Sequence, residues 1–132
     1  MAFDAVGIIT GNMAEALRFY ALLGLRFEAV GGAEHQEATT PSGVRLMLDD
    51  RALVERLQPG WRGGDDCASG NGGVVLCFRQ EDPARVDALY GEMTGAGFAG
   101  VTAPWDAFWG QRYASVLDPD GNQVDLFAPL SA

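Results

Sequence analysis

The feature that most constrains this chain is an order of elements written twice, each time with one amphipathic helix among short strands. Ala5–Thr10 is apolar and β-branched, which predicts a buried strand. Asn12 followed by Glu15 resembles a capping box. Met13, Ala16, Leu17, Tyr20 and Leu23 then fall on one stripe at helical spacing, and Gly24 suits the left-handed position that ends a helix. Arg26–Val30, His35–Thr40 and Val44–Asp49 read as three strands, divided by Gly31-Gly32 and by Pro41-Ser42-Gly43. Arg51–Leu57 predicts a short helical turn. The plan then recurs. Gly73–Phe78 reads as a buried strand, and Asp82 caps a helix with Pro83 at its first position. Val86, Leu89, Tyr90 and Met93 form the stripe of that helix, which Gly95 and Gly97 stop. Phe98–Thr102, Arg112–Leu117 and Gln123–Phe127 are three further strands. The last two are joined by Asp118-Pro119-Asp120-Gly121-Asn122, a turn in which proline presets φ and glycine and asparagine accept positive φ.

This order predicts an α+β fold of two tandem βαβββ modules within a single domain spanning residues 1–132. The modules are 1–57 and 73–130, and a Gly-, Asp- and Ser-rich linker spans 58–72. One helix cannot cover both faces of a four-stranded sheet, so the bare face must meet the other half, a partner chain or a ligand. Two mixed, curved sheets facing each other would enclose a cleft. The linker permits the halves to pair within a chain or to swap between chains.

Composition removes several classes of function. The formal net charge of −9 over 132 residues opposes binding to phosphate backbones and to anionic membranes, so neither nucleic acid nor membrane is an expected partner. No apolar run reaches the length of a membrane span, and Met1-Ala2-Phe3-Asp4 does not open a leader, which predicts a cytoplasmic protein. Cys67 and Cys77 fall in no metal-binding spacing. Cys77 lies inside Val74–Phe78, which predicts a small buried hydrophobe. There is no Gly-x-Ser-x-Gly elbow, no P-loop and no dinucleotide fingerprint.

Two segments carry a resemblance. Asn12–Tyr20 followed by Leu23-Gly24-Leu25, and Tyr113–Leu126 with its Asp-Pro-Asp-Gly-Asn turn, resemble the first helix and the C-terminal hairpin of the vicinal oxygen chelate (glyoxalase/bleomycin-resistance) superfamily. Pro104–Tyr113 and Val124–Pro129 look like its mitomycin-resistance-like members, which implies a homodimer with pockets shared between chains. Enzymes of the superfamily hold a divalent metal through His, Gln and Glu from the first and last strands of each half. Carried over, those positions fall near Ala5, at Val74 or Val75, at Leu48 or Asp49, and at Asp125. One or two carboxylates do not supply the three or four ligands that such a metal needs, so neither metal nor other cofactor is expected.

What remains is an aromatic cluster. Trp105, Phe108, Trp109 and Tyr113 offer planar faces, some with polar tips, suited to a flat organic molecule or to packing at a dimer interface; the two readings weigh equally for Phe108, and the resemblance favours ligand contact for Trp105, Trp109 and Tyr113. Asp125 and Phe127 share a strand face by period-two alternation, Met47 lies on the last strand of the first half, and Gln111 and Arg112 are adjacent candidates. His35, the single histidine, is either a ligand contact or a surface residue beside Glu34 and Glu37. The expected ligand-binding set is therefore His35, Met47, Trp105, Phe108, Trp109, Tyr113, Asp125 and Phe127, with no catalytic residue. The expectation is a metal-free binder of a small planar molecule, possible antibiotic sequestration included. The alternative is a lyase or isomerase acting through a carboxylate or an unrecognised metal site, and a third is a dimer without a ligand.

Overall fold

The computed structural model describes residues 1–61 and 73–131, and the chain divides into two compact units, Met1–Asp66 and Cys67–Ala132. The expected linker lies outside the described residues from residue 62 onward.

Unit 1 runs β1 (Ala5–Thr10), α1 (Met13–Leu22), β2 (Glu28–Ala29), β3 (His35–Thr39), β4 (Arg45–Asp50) and α2 (Arg51–Leu57). Its sheet has the order β1-β4-β3-β2; β1 and β4 are parallel and the other pairs antiparallel. The Asn12 side chain caps α1 by accepting from the Glu15 amide at 3.1 Å. The reciprocal arm of a capping box is absent. The Asn12 amide donates instead to the Thr10 hydroxyl at 3.1 Å, and the Glu15 carboxylate pairs with Arg18. Ala16, Phe19 and Tyr20 of α1 are fully buried, as is Leu48 of β4, with Leu46, Ala38 and Ile8 nearly so. The strand expected over Arg26–Val30 shrinks to two residues: only Glu28 and Ala29 stand in register with β3, and the Val30 amide closes the pairing by donating to the His35 carbonyl at 3.0 Å.

Unit 2 runs β5 (Val75–Arg79), α3 (Pro83–Gly95), β6 (Gly100–Ala107), β7 (Gln111–Leu117) and β8 (Gln123–Pro129), with sheet order β5-β8-β7-β6. The β5–β8 pair is parallel and the others are antiparallel. The Asp82 side chain caps α3 through the Arg85 amide at 2.8 Å. Val86, Leu89 and Met93 of α3 are buried, together with Val124, Leu126 and Ala128 of β8 and Ala114 and Val116 of β7. Burial of this kind stabilises by roughly 1.5–3 kcal/mol for each large aliphatic side chain. Two expectations need correction here. β5 is an edge strand whose alternate residues Val75, Cys77 and Arg79 are exposed, so Cys77 is not a buried hydrophobe. β6 continues well past Thr102 to Ala107, because Trp105, Asp106 and Ala107 find register partners on β7 beyond a bulge.

Gly100 marks the tightest approach of β6 to α3. A Cβ there would lie 2.3 Å from the Tyr90 hydroxyl oxygen and 3.2 Å from Thr94 Cγ2. The hydroxyl is the far end of a ring that can swing aside, so Gly100→Ala is expected to destabilise by about 1 kcal/mol, at the low end of overpacking effects. The urea midpoint measures this, and an unshifted midpoint would show that the ring moves without cost.

Candidate functional site

The geometry follows from which face of each sheet the helix covers. In unit 2, Arg112 of β7 reaches Asp87 of α3 at 2.9 Å, so Arg112 lies on the helix face with its register partners Asp106 and Ala128. Arg112 is therefore not an aid to the aromatic cluster; it joins α3 to β6 through Asp87 and Asp106. The alternate residues lie on the opposite face. There the register sets Trp105 beside Tyr113, Tyr113 beside Phe127, Ser115 beside Asp125, and Asp125 beside Cys77. Four of the expected residues are thus brought to one face: Trp105, Tyr113, Asp125 and Phe127. Phe108 and Trp109 sit in the β6–β7 turn, Phe108 with its side chain almost wholly exposed.

Trp109 is the hub of the rings. It meets Trp105, Phe108 and Tyr113 edge to face at centroid distances of 5.6, 4.9 and 5.3 Å, while Tyr113 and Phe127 lie nearly parallel at 6.1 Å. Its indole N–H donates to the Gln111 side-chain oxygen at 2.8 Å, which fixes the ring's orientation. Trp105 and Trp109 remain 41% and 47% exposed, so their faces are open to a ligand.

Beneath the rings lies a carboxylate network. Asp125 is only 6% exposed and accepts three hydrogen bonds: from the Tyr113 hydroxyl at 2.7 Å, the Ser115 hydroxyl at 2.7 Å and the Gln123 amide at 3.0 Å. Burial, and then the hydrogen bond to Asp125, push the Tyr113 phenol well above its usual value, so Tyr113 keeps its proton. Cys77 Sγ stands 3.9 Å from the Tyr113 oxygen. Ser115, Gln123 and Cys77 were not among the expected site residues. Alternation would have found the first two, each being two residues from an expected member of the face.

The corresponding face of unit 1 is charged rather than aromatic. His35 lies between two carboxylates, with Nδ1 on Asp49 and Nε2 on Glu37, the latter at 2.7 Å. Glu37 also binds Arg45 at 2.6 Å, and Arg45 reaches Asp4. Both ring nitrogens of His35 are thus engaged within β3 and β4. Met47 lies on the same face, paired with Gly7 and Glu37. The hydrogen bonds to Asp49 and then Glu37 raise the His35 pKa above its ordinary 6.5. Its contribution to stability is full below pH 6.5, where the unfolded chain is also protonated, and is lost as pH rises through the raised folded value. The thermal midpoint is therefore expected to fall as pH is raised above that range, and His35→Gln should flatten this dependence. Equal pH profiles for the two proteins would show that the clamp contributes nothing.

The residues at the family's metal positions do not fit a divalent ion. Ala5 and Val75 carry no ligating atom, and Leu48 is fully buried among the apolar residues of β4. Asp49 is engaged by His35, and Asp125 by three donors. Among the described residues, no group of three or more His, Cys, Asp or Glu side chains is placed to hold a metal. No described helix is long and apolar enough to cross a membrane.

Similar solved structures include a glyoxalase/bleomycin resistance protein/dioxygenase family enzyme from Burkholderia phytofirmans, with TM-score 0.79, 19% identity and coverage of 98% of this chain and 100% of the other. A glyoxalase/bleomycin resistance protein/dioxygenase from Nocardioides has TM-score 0.76 and 22% identity, covering 100% and 85%. A protein from Agrobacterium tumefaciens solved by NMR has TM-score 0.74 and 24% identity, covering 99% of each chain. These likenesses concern the fold. No curated protein matches the chain. The sequence pattern of the Glyoxalase/Bleomycin resistance protein/Dioxygenase superfamily matches residues 2–126, and the chain belongs to that superfamily.

Proposed function

We propose that this protein is a metal-free binding protein for a small planar organic molecule, held on the aromatic face of unit 2, and that it acts by sequestration. The observation that carries the reading is the set Trp105, Trp109, Tyr113 and Phe127, gathered on the face opposite α3 and partly exposed, above the hydrogen-bonded Asp125. Each aromatic pair formed with a flat ligand adds about 0.5–1.5 kcal/mol beyond area burial. Sequestration of a drug-like ligand confers tolerance by mass action when the protein is at least as abundant as its ligand. The resemblance to mitomycin-resistance-like members supports a homodimer.

Binding is favoured over metal-free lyase or isomerase chemistry by the state of the carboxylate. A general base must take up the substrate proton and pass it on, and Tyr113, Ser115 and Gln123 hold three of the roughly four lone-pair directions of Asp125, which leaves one on Oδ2, enough to accept a hydrogen bond from a bound ligand. Metal analysis of the purified protein, with tryptophan-fluorescence titration against planar antibiotics, tests the proposal. Sub-stoichiometric metal with saturable quenching by one compound class is the expected result. Stoichiometric metal, or turnover of the ligand that binds, would overturn it.

A further inference from the structure

Resting on that binding role, we infer that the ligand is a planar aromatic cation carrying a single positive charge, with Asp125 as its buried counter-charge. The polar atoms beneath the rings are what point to charge. Asp125 is more than nine-tenths buried, yet its three hydrogen-bond partners are neutral donors, and no Arg or His nitrogen among the described residues makes an ion pair with it. A buried carboxylate with neutral partners projects a nearly full negative charge through a medium of low dielectric.

The hydrogen-bonding capacity has the same sense. A carboxylate offers about four lone-pair directions. Here Oδ1 accepts from Ser115 and Gln123, and Oδ2 accepts from Tyr113 alone. The Tyr113 proton is committed to Asp125, so its oxygen has only lone pairs left to offer. The Tyr113–Asp125 pair can therefore accept from a ligand but not donate to it. An N–H-bearing cation satisfies it, and an anion or a pure acceptor is rejected.

The rings add to this. Trp105, Trp109, Tyr113 and Phe127 carry negative π-faces, and cations over Trp and Tyr are the favoured partners of such faces. The net charge of −9 raises the local concentration of cations in general. One opposing group limits the ligand to a single charge. Arg79 of β5 is exposed, sits beside Phe127 on this face, and makes no ion pair among the described residues. A second positive group at the Phe127 end would meet it, so the ligand's charge belongs at the Tyr113 end.

The test uses three acridines of one ring shape, titrated into the full chain by fluorescence: aminoacridine as cation, acridine as neutral ring at a pH where it is unprotonated, and acridine carboxylate as anion. The cation is expected to bind roughly tenfold or more tighter than the neutral ring, with the anion weakest. Added salt should narrow the gap. Asp125→Asn should bring the cation and the neutral ring to within about threefold of each other, with an unchanged circular dichroism spectrum. Should that variant misfold, the wild-type series with its salt dependence still decides. Equal or tighter binding of the neutral ring or the anion would overturn the inference and leave the binding role standing. Failure of all three to bind would remove both.

Discussion

Asp118→Ala should lower stability by about 3 kcal/mol and lose much of the β7–β8 hairpin, the largest structural effect expected of a single side chain outside the apolar core. Asp118 is 4% exposed, and its carboxylate holds the whole turn. Oδ1 accepts from the backbone amides of Asp120 and Asn122, and Oδ2 accepts from the Asn122 side chain, each at 2.9 Å. The Asp118 amide in turn donates to the Asn122 carbonyl, and the Gly121 amide to the Asp118 carbonyl. Alanine would remove one charged acceptor and leave three donors without it, which costs more than deleting both partners of a bond. The turn also sets the register that places Tyr113 and Ser115 against Asp125, so a displaced hairpin would disperse the site. Chemical denaturation and amide exchange across residues 111–129 would measure both effects. A variant with wild-type midpoint and protection would show that backbone bonds alone close the turn. Asp118→Asn, which keeps one acceptor oxygen, should recover part of the loss.

Trp109→Ala should weaken binding of a planar ligand by about 2 kcal/mol or more, roughly thirtyfold, while barely moving the thermal midpoint. The separation of the two effects follows from position. Trp109 lies in the β6–β7 turn and is about half exposed, so the fold gains little from its burial. For the site it is the one ring in contact with Trp105, Phe108 and Tyr113 together. Removing it takes away one face and frees the flanking rings to rotate, which adds an ordering cost on binding. Phe108→Ala, at a side chain that is almost fully exposed, makes the comparison. Isothermal titration with whichever planar compound quenches the wild-type protein would distinguish the two variants. Equal affinities for Trp109→Ala and the wild type would place the ligand elsewhere.

The local chemistry of this chain is legible in its sequence. The helix caps at Asn12 and Asp82, the stripes of both helices, and the Asp118–Asn122 turn depend on neighbours within a few residues, and periodicity records such contacts directly. The repeated order of elements also forces a sheet face that its own helix cannot cover, and the resemblance of two segments named the superfamily.

Tertiary structure decided whatever depends on a partner strand. Cys77 sits in an apolar run that reads as interior, but β5 lies at a sheet edge, and the alternation of the strand turns Cys77 outward. β6 reaches Trp105 only because β7 supplies partners beyond the bulge, and β2 is two residues long because only Glu28 and Ala29 enter the β3 register. His35 looks like an isolated histidine until β4 brings Asp49 alongside. Asp125 becomes a buried carboxylate with neutral donors because β7 delivers Tyr113 and Ser115 across a hairpin register. The physical reason is common to all five. Side-chain alternation along a strand is a local property, but the identity and register of the strand beside it are set by contacts far apart in sequence. A single sequence holds the first and leaves the second to the folded chain.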